Sequence, residues 1–326
     1  MAKLKVILIG QANVGKTSIG KYLIFLDRAI ALNTEPSTRV EKYMLKVLKA
    51  DISLFVTPGQ RRFQRTNIEF LLNLLDENTV ILYVMDAAAK RERIKLMLKE
   101  FVDILKLMSS AIKDRKIDSI TIALLAHKQD LPNALNAEKI LQSMIEKMKS
   151  VFPNIRIYVF NTSIYYPESL FRVVREIILP KALPMKTLED IVDTLAKLTG
   201  SRTVVISDSM GFPLAMKGDE KIGSWLSIIP AKLLTSLEHE KRIIRDFRKD
   251  LWDIIFGVGD DESIDIIMDV GSSTKAYISI RKIDDRPICF SLFNPKKQID
   301  VIRGIISGAS RKLVGIMNNI GVLGGW

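Results

Sequence analysis

Gly10-Gln11-Ala12-Asn13-Val14-Gly15-Lys16-Thr17 decides how the first half of this 326-residue chain reads. The octet fits G-x-x-x-x-G-K-[ST], follows the apolar run Leu4 to Ile9 and opens a helical segment expected to reach Asp27. A strand, a glycine-bearing loop and a helix start together curl backbone N–H groups around an anion at the positive end of the helix dipole. Gln11, Ala12, Asn13, Val14, Gly15, Lys16, Thr17 and Ser18 are therefore the candidate phosphate cradle. Lys16 is expected to reach the terminal phosphates, and the Thr17 hydroxyl to ligate magnesium.

Outward from this loop, apolar runs alternate with helical-period segments, the pattern of a mostly parallel sheet covered on both faces. Strands are expected near 4–9, 41–48, 51–57, 79–85, 120–126 and 155–160, and helices near 16–27, 66–76, 91–112, 137–150 and 167–179. Pro180 and Pro184 stop the last of these helices, because proline lacks the N–H a helix needs and biases its predecessor towards extended geometry. A domain boundary is placed there, giving 1–184 and 185–326. The second part changes order: helix 187–199, strands 202–207 and 212–217 around Ser209-Met210-Gly211, and a helix from about 222. Strands at 263–269, 273–281 and 286–293 and a helix at 296–318 follow. With Pro230 inside the pattern, residues 222–256 read as either one kinked helix or two.

The net charge of +12 is uneven. Residues 1–184 hold 29 Lys/Arg against 18 Asp/Glu (+11), and residues 185–326 hold 20 against 19 (+1). Runs such as Arg61-Arg62-Phe63-Gln64-Arg65 and Lys90-Arg91-Glu92-Arg93 would attract an anionic membrane surface or an acidic partner, the plainer alternative being a solvated helix face. No aromatic stacking motif accompanies the charge, so nucleic acid is not an expected partner. No apolar run approaches the roughly 18 residues of a membrane span. Ala2 replaces the glycine that myristoylation needs, and the tail lacks a prenylation cysteine. The single cysteine, Cys289, reads as a small buried strand residue and suits a cytoplasmic location.

The other site residues are spread along the chain. In His127-Lys128-Gln129-Asp130, after the strand 120–126, the Asp130 carboxylate can accept from the ring nitrogen and exocyclic amine of guanine, groups adenine does not present in that geometry. Lys128 would lay its stem along the base and touch the phosphate loop. The polar loop Thr34-Glu35-Pro36-Ser37-Thr38-Arg39 suits a first switch that closes over magnesium and the γ-phosphate. Thr38, just before the second strand, is the first choice for that contact, and Thr34 remains open. In Val56-Thr57-Pro58-Gly59-Gln60, Gly59 would offer an N–H to the γ-phosphate and Gln60 would orient the attacking water.

These residues resemble the Rag/Gtr branch of Ras-like GTPases, with likeness to Arf and to the MglA proteins. The resemblance is carried by His127-Lys128-Gln129-Asp130, by Thr162-Ser163-Ile164 with Leu170-Phe171 and Ile177-Ile178-Leu179-Pro180, and by Lys16-Thr17-Ser18. Lys128-Gln129-Asp130-Leu131-Pro132-Asn133-Ala134 is Arf-like, and Thr57-Pro58-Gly59-Gln60 is similar to MglA. The resemblance implies an α/β P-loop domain with Asp130 as guanine reader, His127 in the usual Asn position, and a loop at Ser163 and Ile164 under the guanine carbonyl. It also implies that the aspartate expected three residues before Gly59 is here Val56, which lowers metal affinity or turnover unless Thr57 substitutes in part. Val204-Val205-Ile206-Ser207-Asp208-Ser209-Met210-Gly211-Phe212-Pro213-Leu214 resembles the first hairpin of a roadblock domain, an α+β dimerisation module. The expectation is a magnesium-dependent GTP/GDP switch that hydrolyses GTP slowly and pairs, with itself or a different chain, through residues 185–326. A nucleotide-bound scaffold with little hydrolysis is the alternative.

Overall fold

The computed structural model describes residues 4–47, 50–243, 263–270, 274–283 and 286–323. The chain divides into two compact units, with the break between Ala182 and Leu183.

The first unit holds a six-stranded sheet in the order β2-β3-β1-β4-β5-β6, from β1 (Leu4–Ile9), β2 (Glu41–Val47), β3 (Ala50–Val56), β4 (Thr79–Asp86), β5 (Ile120–His127) and β6 (Ile155–Thr162). The β1–β3, β1–β4, β4–β5 and β5–β6 pairs are parallel. Every residue of β4 and β5 is buried, as expected for central parallel strands covered on both faces. Because β3 and β4 flank β1, the chain turns in opposite directions on leaving it, and the crevice at the carboxyl end of β1 is where such sheets take ligands.

The helices differ from the sequence expectation mainly at their ends. The first, α1 (Lys16–Phe25), stops short because Asp27 caps a separate short helix, α2 (Arg28–Leu32), accepting from the N–H groups of Ala29 and Ile30. A 3-10 turn at Arg61–Phe63 leads into α3 (Gln64–Leu74). The long α4 (Arg91–Arg115) buries Met97, Phe101, Ile104, Leu105, Met108 and Ile112, a three-and-four spacing that places one stripe on the sheet. The expected single helix 137–150 is broken at Leu141 into α5 (Ala137–Ile140) and α6 (Gln142–Val151). The last, α7 (Pro167–Val173), continues through a π turn at Val174–Ile178 and a 3-10 turn at Leu179–Lys181.

The second unit is an antiparallel sheet in the order β8-β7-β11-β10-β9, built from β7 (Thr203–Asp208), β8 (Pro213–Lys217), β9 (Ser263–Asp269), β10 (Lys275–Ile283) and β11 (Arg286–Phe293). Its helices are α8 (Met185–Thr199), α9 (Glu220–Ile243) and α10 (Ile299–Leu323). Alternation along β10 assigns the faces. Ile278 and Ile280 pack with Leu234 of α9, while Arg281 donates to Ser307 of α10 on the other side. Between Glu220 and Ile243 one helix runs through Pro230; the remainder of 222–256 lies outside the described residues. Pro230 cannot donate to the Leu226 carbonyl four residues earlier, and the Ser291 hydroxyl of β11 supplies that bond at 3.1 Å. Cys289 is fully buried, and burial pushes its thiol well above the ordinary range. Among the described residues no helix is long and apolar enough to cross a membrane.

Candidate nucleotide site

The loop from Gly10 to Gly15 leaves β1 and enters α1 at Lys16. Gly15 has φ +98°, and a Cβ there would meet His127 Cδ2 at 2.5 Å, so only glycine lets the loop lie on the β5 side chain. The Lys16 ammonium donates to the carbonyls of Gly10 (2.8 Å) and Gln11 (2.7 Å). Its burial pushes the pKa down from 10.5 to about 8, against the pull of Glu100. Two residues of α4 brace the loop from behind: Arg93 donates to the Ala12 carbonyl at 2.6 Å, and Glu100 accepts from the Gln11 side-chain amide at 3.0 Å.

At the other end of the crevice, Lys128 spans two elements, donating to the Asn13 carbonyl and to Asp86 Oδ2, each at 2.7 Å. Asp86 is largely buried and also accepts from the Ala88 N–H, so the lysine has a fixed anionic anchor. Asp130 accepts a very short hydrogen bond from the Ser163 hydroxyl, which brings the two loops together. The Ser163 N–H donates to Ser169 Oγ at 3.0 Å, and Ile164 is buried beneath. His127 is buried, with Nδ1 3.1 Å from Thr162 Oγ1. Burial first, then Lys128, depress its pKa from 6.5 to about 4, against Asp130 and Asp86. It is a neutral packing residue beneath the loop. Gln129 ties down the loop after β5, donating to the carbonyls of Ala126 and Leu135 and to Asn161.

The two switch segments meet the phosphate loop between these ends. Ala12 to Ser18, Thr34 to Ser37, Thr57, Gly59 and Gln60 line one crevice. Thr38 is exposed and is not among its lining residues; the hydroxyl that lies against Thr17 is that of Ser37, at 3.2 Å. Gly59 sits so close that an added Cβ would meet Lys16 Nζ at 2.5 Å. Gln60 lies beside Gly59 and also lines a second cavity that contains Arg61, Arg93 and Glu100. Val56 is fully buried and Thr57 donates to the Leu8 carbonyl at 3.0 Å, while Asn67 of α3 donates to the Pro58 carbonyl at 2.6 Å.

Ser37, Arg93 and Thr162 lie in stretches the sequence singles out but receive no contact of their own there, and Asp86, Asn67 and Glu100 carry no sequence signal; the contacts of the last three reach across 9 to 89 residues of chain.

A loop of this shape at the carboxyl end of β1, with its lysine turned inward and a lysine–aspartate pair after β5, defines a Ras-like P-loop domain. Residues 5–220 match the Gtr1/RagA G protein conserved region, and the chain belongs to that family of GTPases. No curated protein sequence matches it. Among solved structures it is similar to Myxococcus xanthus MglB (14% identity, 42% of this chain and 92% of that one, TM-score 0.31). It is also similar to the mammalian SRP receptor (16%, 49% and 92%, TM-score 0.39) and to the Arl6 BBS3 small GTPase from Trypanosoma brucei (15%, 50% and 88%, TM-score 0.38).

Proposed function

We propose that this chain is a guanine-nucleotide switch that binds GTP or GDP with magnesium, hydrolyses GTP slowly, and works as a dimer through residues 185–326. The observation that carries the reading is Lys128, which ties the phosphate loop at Asn13 to the segment bearing Asp130, so one rigid frame presents both the phosphate cradle and the base-reading carboxylate.

Residues 11–18 would cradle the phosphates, with Lys16 leaving the Gly10 and Gln11 carbonyls to meet them. Asp130 would read guanine, with Lys128 along the base and Ser163 and Ile164 beneath its carbonyl. The donor set fits magnesium, since Thr17 and the first switch contribute hydroxyl oxygens beside the place for phosphates. Thr17 and Thr38 are the residues proposed to hold it, and Ser37 is the first-switch hydroxyl already in contact with Thr17. When bound, the ion neutralises charge on the β- and γ-phosphates. Gln60 would orient the attacking water, while Lys16 and the N–H of Gly59 stabilise charge developing on the γ-phosphate.

Single-turnover hydrolysis of GTP by the full-length protein, with and without magnesium, tests this. Magnesium-dependent phosphate release, abolished in Gln60→Leu with GTP binding intact, is expected. Tight GTP binding with no release over hours would instead establish the scaffold reading, which Val56 favours because a buried valine gives the metal site no oxygen.

Dimerisation is supported by the edge strand β9, whose Ile267 is 45% exposed. A monomeric mass by light scattering at micromolar concentration would contradict it. Regulatory and effector proteins, a cytoplasmic location, and peripheral contact of the basic first unit with an anionic membrane or acidic partner complete the proposal.

A further inference from the structure

Magnesium bound with a nucleotide usually keeps one or two carboxylates near it besides the phosphates, and the strand that should bring one carries Val56. Val56 is packed on the helix that bears Thr17: its Cγ2 lies 2.7 Å from where a Cβ on Gly20 would stand. Tyr43 Cε2 approaches the same point at 3.8 Å, so β2 turns this face toward α1. Glu41 lies two residues before Tyr43 and shares that face.

Its carboxylate has two partners. Oε2 accepts from the Tyr43 hydroxyl at 2.5 Å, and Oε1 accepts a very short hydrogen bond from Ser37. Burial and the hydrogen bond to Glu41 push the Tyr43 hydroxyl well above its ordinary pKa, which keeps it a donor to the carboxylate. Ser37 Oγ in turn lies 3.2 Å from Thr17 Oγ1. With the Ser37 proton committed to Glu41, Thr17 must donate to Ser37, and the Thr17 lone pairs are left for a cation.

We propose that Glu41 supplies the carboxylate of the magnesium site that position 56 lacks, acting through Ser37 on Thr17 as a positioning residue. The inference rests on the guanine-nucleotide reading above. Glu35 also lines the crevice, but it is exposed, where solvent and salt screen its charge.

Release of a fluorescent GDP from the full-length protein, followed as free magnesium is raised from chelator-only conditions, tests it. Glu41→Gln keeps groups that can bond Tyr43 and Ser37 but loses the charge. The magnesium midpoint is expected to rise about tenfold or more, with release in chelator unchanged. Ser37→Ala should shift the midpoint in the same direction. An unmoved midpoint in Glu41→Gln overturns the proposal, as does faster release in chelator and magnesium alike, which marks a structural role. A shift in Glu41→Gln but none in Ser37→Ala overturns the relay. Failure of the wild-type protein to retain GDP in either condition would instead overturn the guanine-nucleotide reading itself.

Discussion

At the base end of the crevice every candidate side chain is held by a partner from another element: His127 by Thr162, Lys128 by Asp86 and the Asn13 carbonyl, Asp130 by Ser163. At the γ-phosphate end Thr38, Arg39, Arg61 and Arg62 are exposed, and Gln60 stands at the start of a single 3-10 turn. Segments with few buried contacts open at low free-energy cost, and elements that switch are drawn from them. On the proposed reading the two ends would divide the work, with nucleotide capture resting on a closed network and turnover on segments that must still be positioned. The missing oxygen at Val56 lies on the second side of that divide.

The comparison can be broken most sharply at Asp130. Asp130→Asn should lower the preference for GDP over ADP by about ten-thousandfold, because an amide presents a donor where two guanine N–H groups need acceptors; competition binding reads the ratio, and an unchanged ratio would remove Asp130 from the base site. Lys16→Ala should weaken GDP binding by about a thousandfold through loss of charge-assisted hydrogen bonds, measured by calorimetry. An effect under tenfold would move the phosphates elsewhere.

Two pH experiments sharpen the contrast. His127 titrates at about 4 when folded against about 6.5 unfolded, so below pH 6.5 the unfolded chain binds a proton that the folded protein refuses until about pH 4. Wild type should therefore lose on the order of 3 kcal/mol of stability relative to His127→Asn as pH falls across that window. Denaturant melts of the pair at pH 7 and pH 4 check it, and parallel pH curves would refute the buried neutral histidine. The smallest effect concerns Lys16. Phosphate contact favours its charged form, so affinity is complete below about pH 8 and falls above it as the free ammonium loses its proton. GDP titrations at pH 7.5 and pH 9 should differ by about tenfold or less, and Lys16→Ala should flatten the difference.

The phosphate loop was legible because its chemistry is contiguous: eight residues fix the strand, the turn and the helix start together. The β4 and β5 runs declare themselves as continuous apolar segments. Helix ends were less legible. The α1 segment keeps an acceptable pattern up to Asp27, yet the Asp27 side chain prefers to cap α2. Proximity to β2 points to Thr38 in the first switch, with Thr34 open, while the structure puts Ser37 on Thr17, because a loop's side-chain directions depend on how it folds back over α1. Pro230 left one helix or two equally consistent with the sequence.

The sequence by itself determined the mostly parallel sheet, the phosphate loop, the segment bearing Asp130 and the helix and strand order of the second unit, since periodicity and short motifs act over a few neighbouring residues. The tertiary structure alone decided that Lys128 anchors on Asp86, that Arg93 and Glu100 brace the loop, and that Glu41 reaches Thr17 through Ser37. It also decided that α9 runs unbroken past Pro230, because only the fold brings the Ser291 hydroxyl to the carbonyl that proline leaves unpaired. Hydrogen bonds between distant segments carry no spacing rule; they exist only once the sheet has fixed which strands and helices are neighbours.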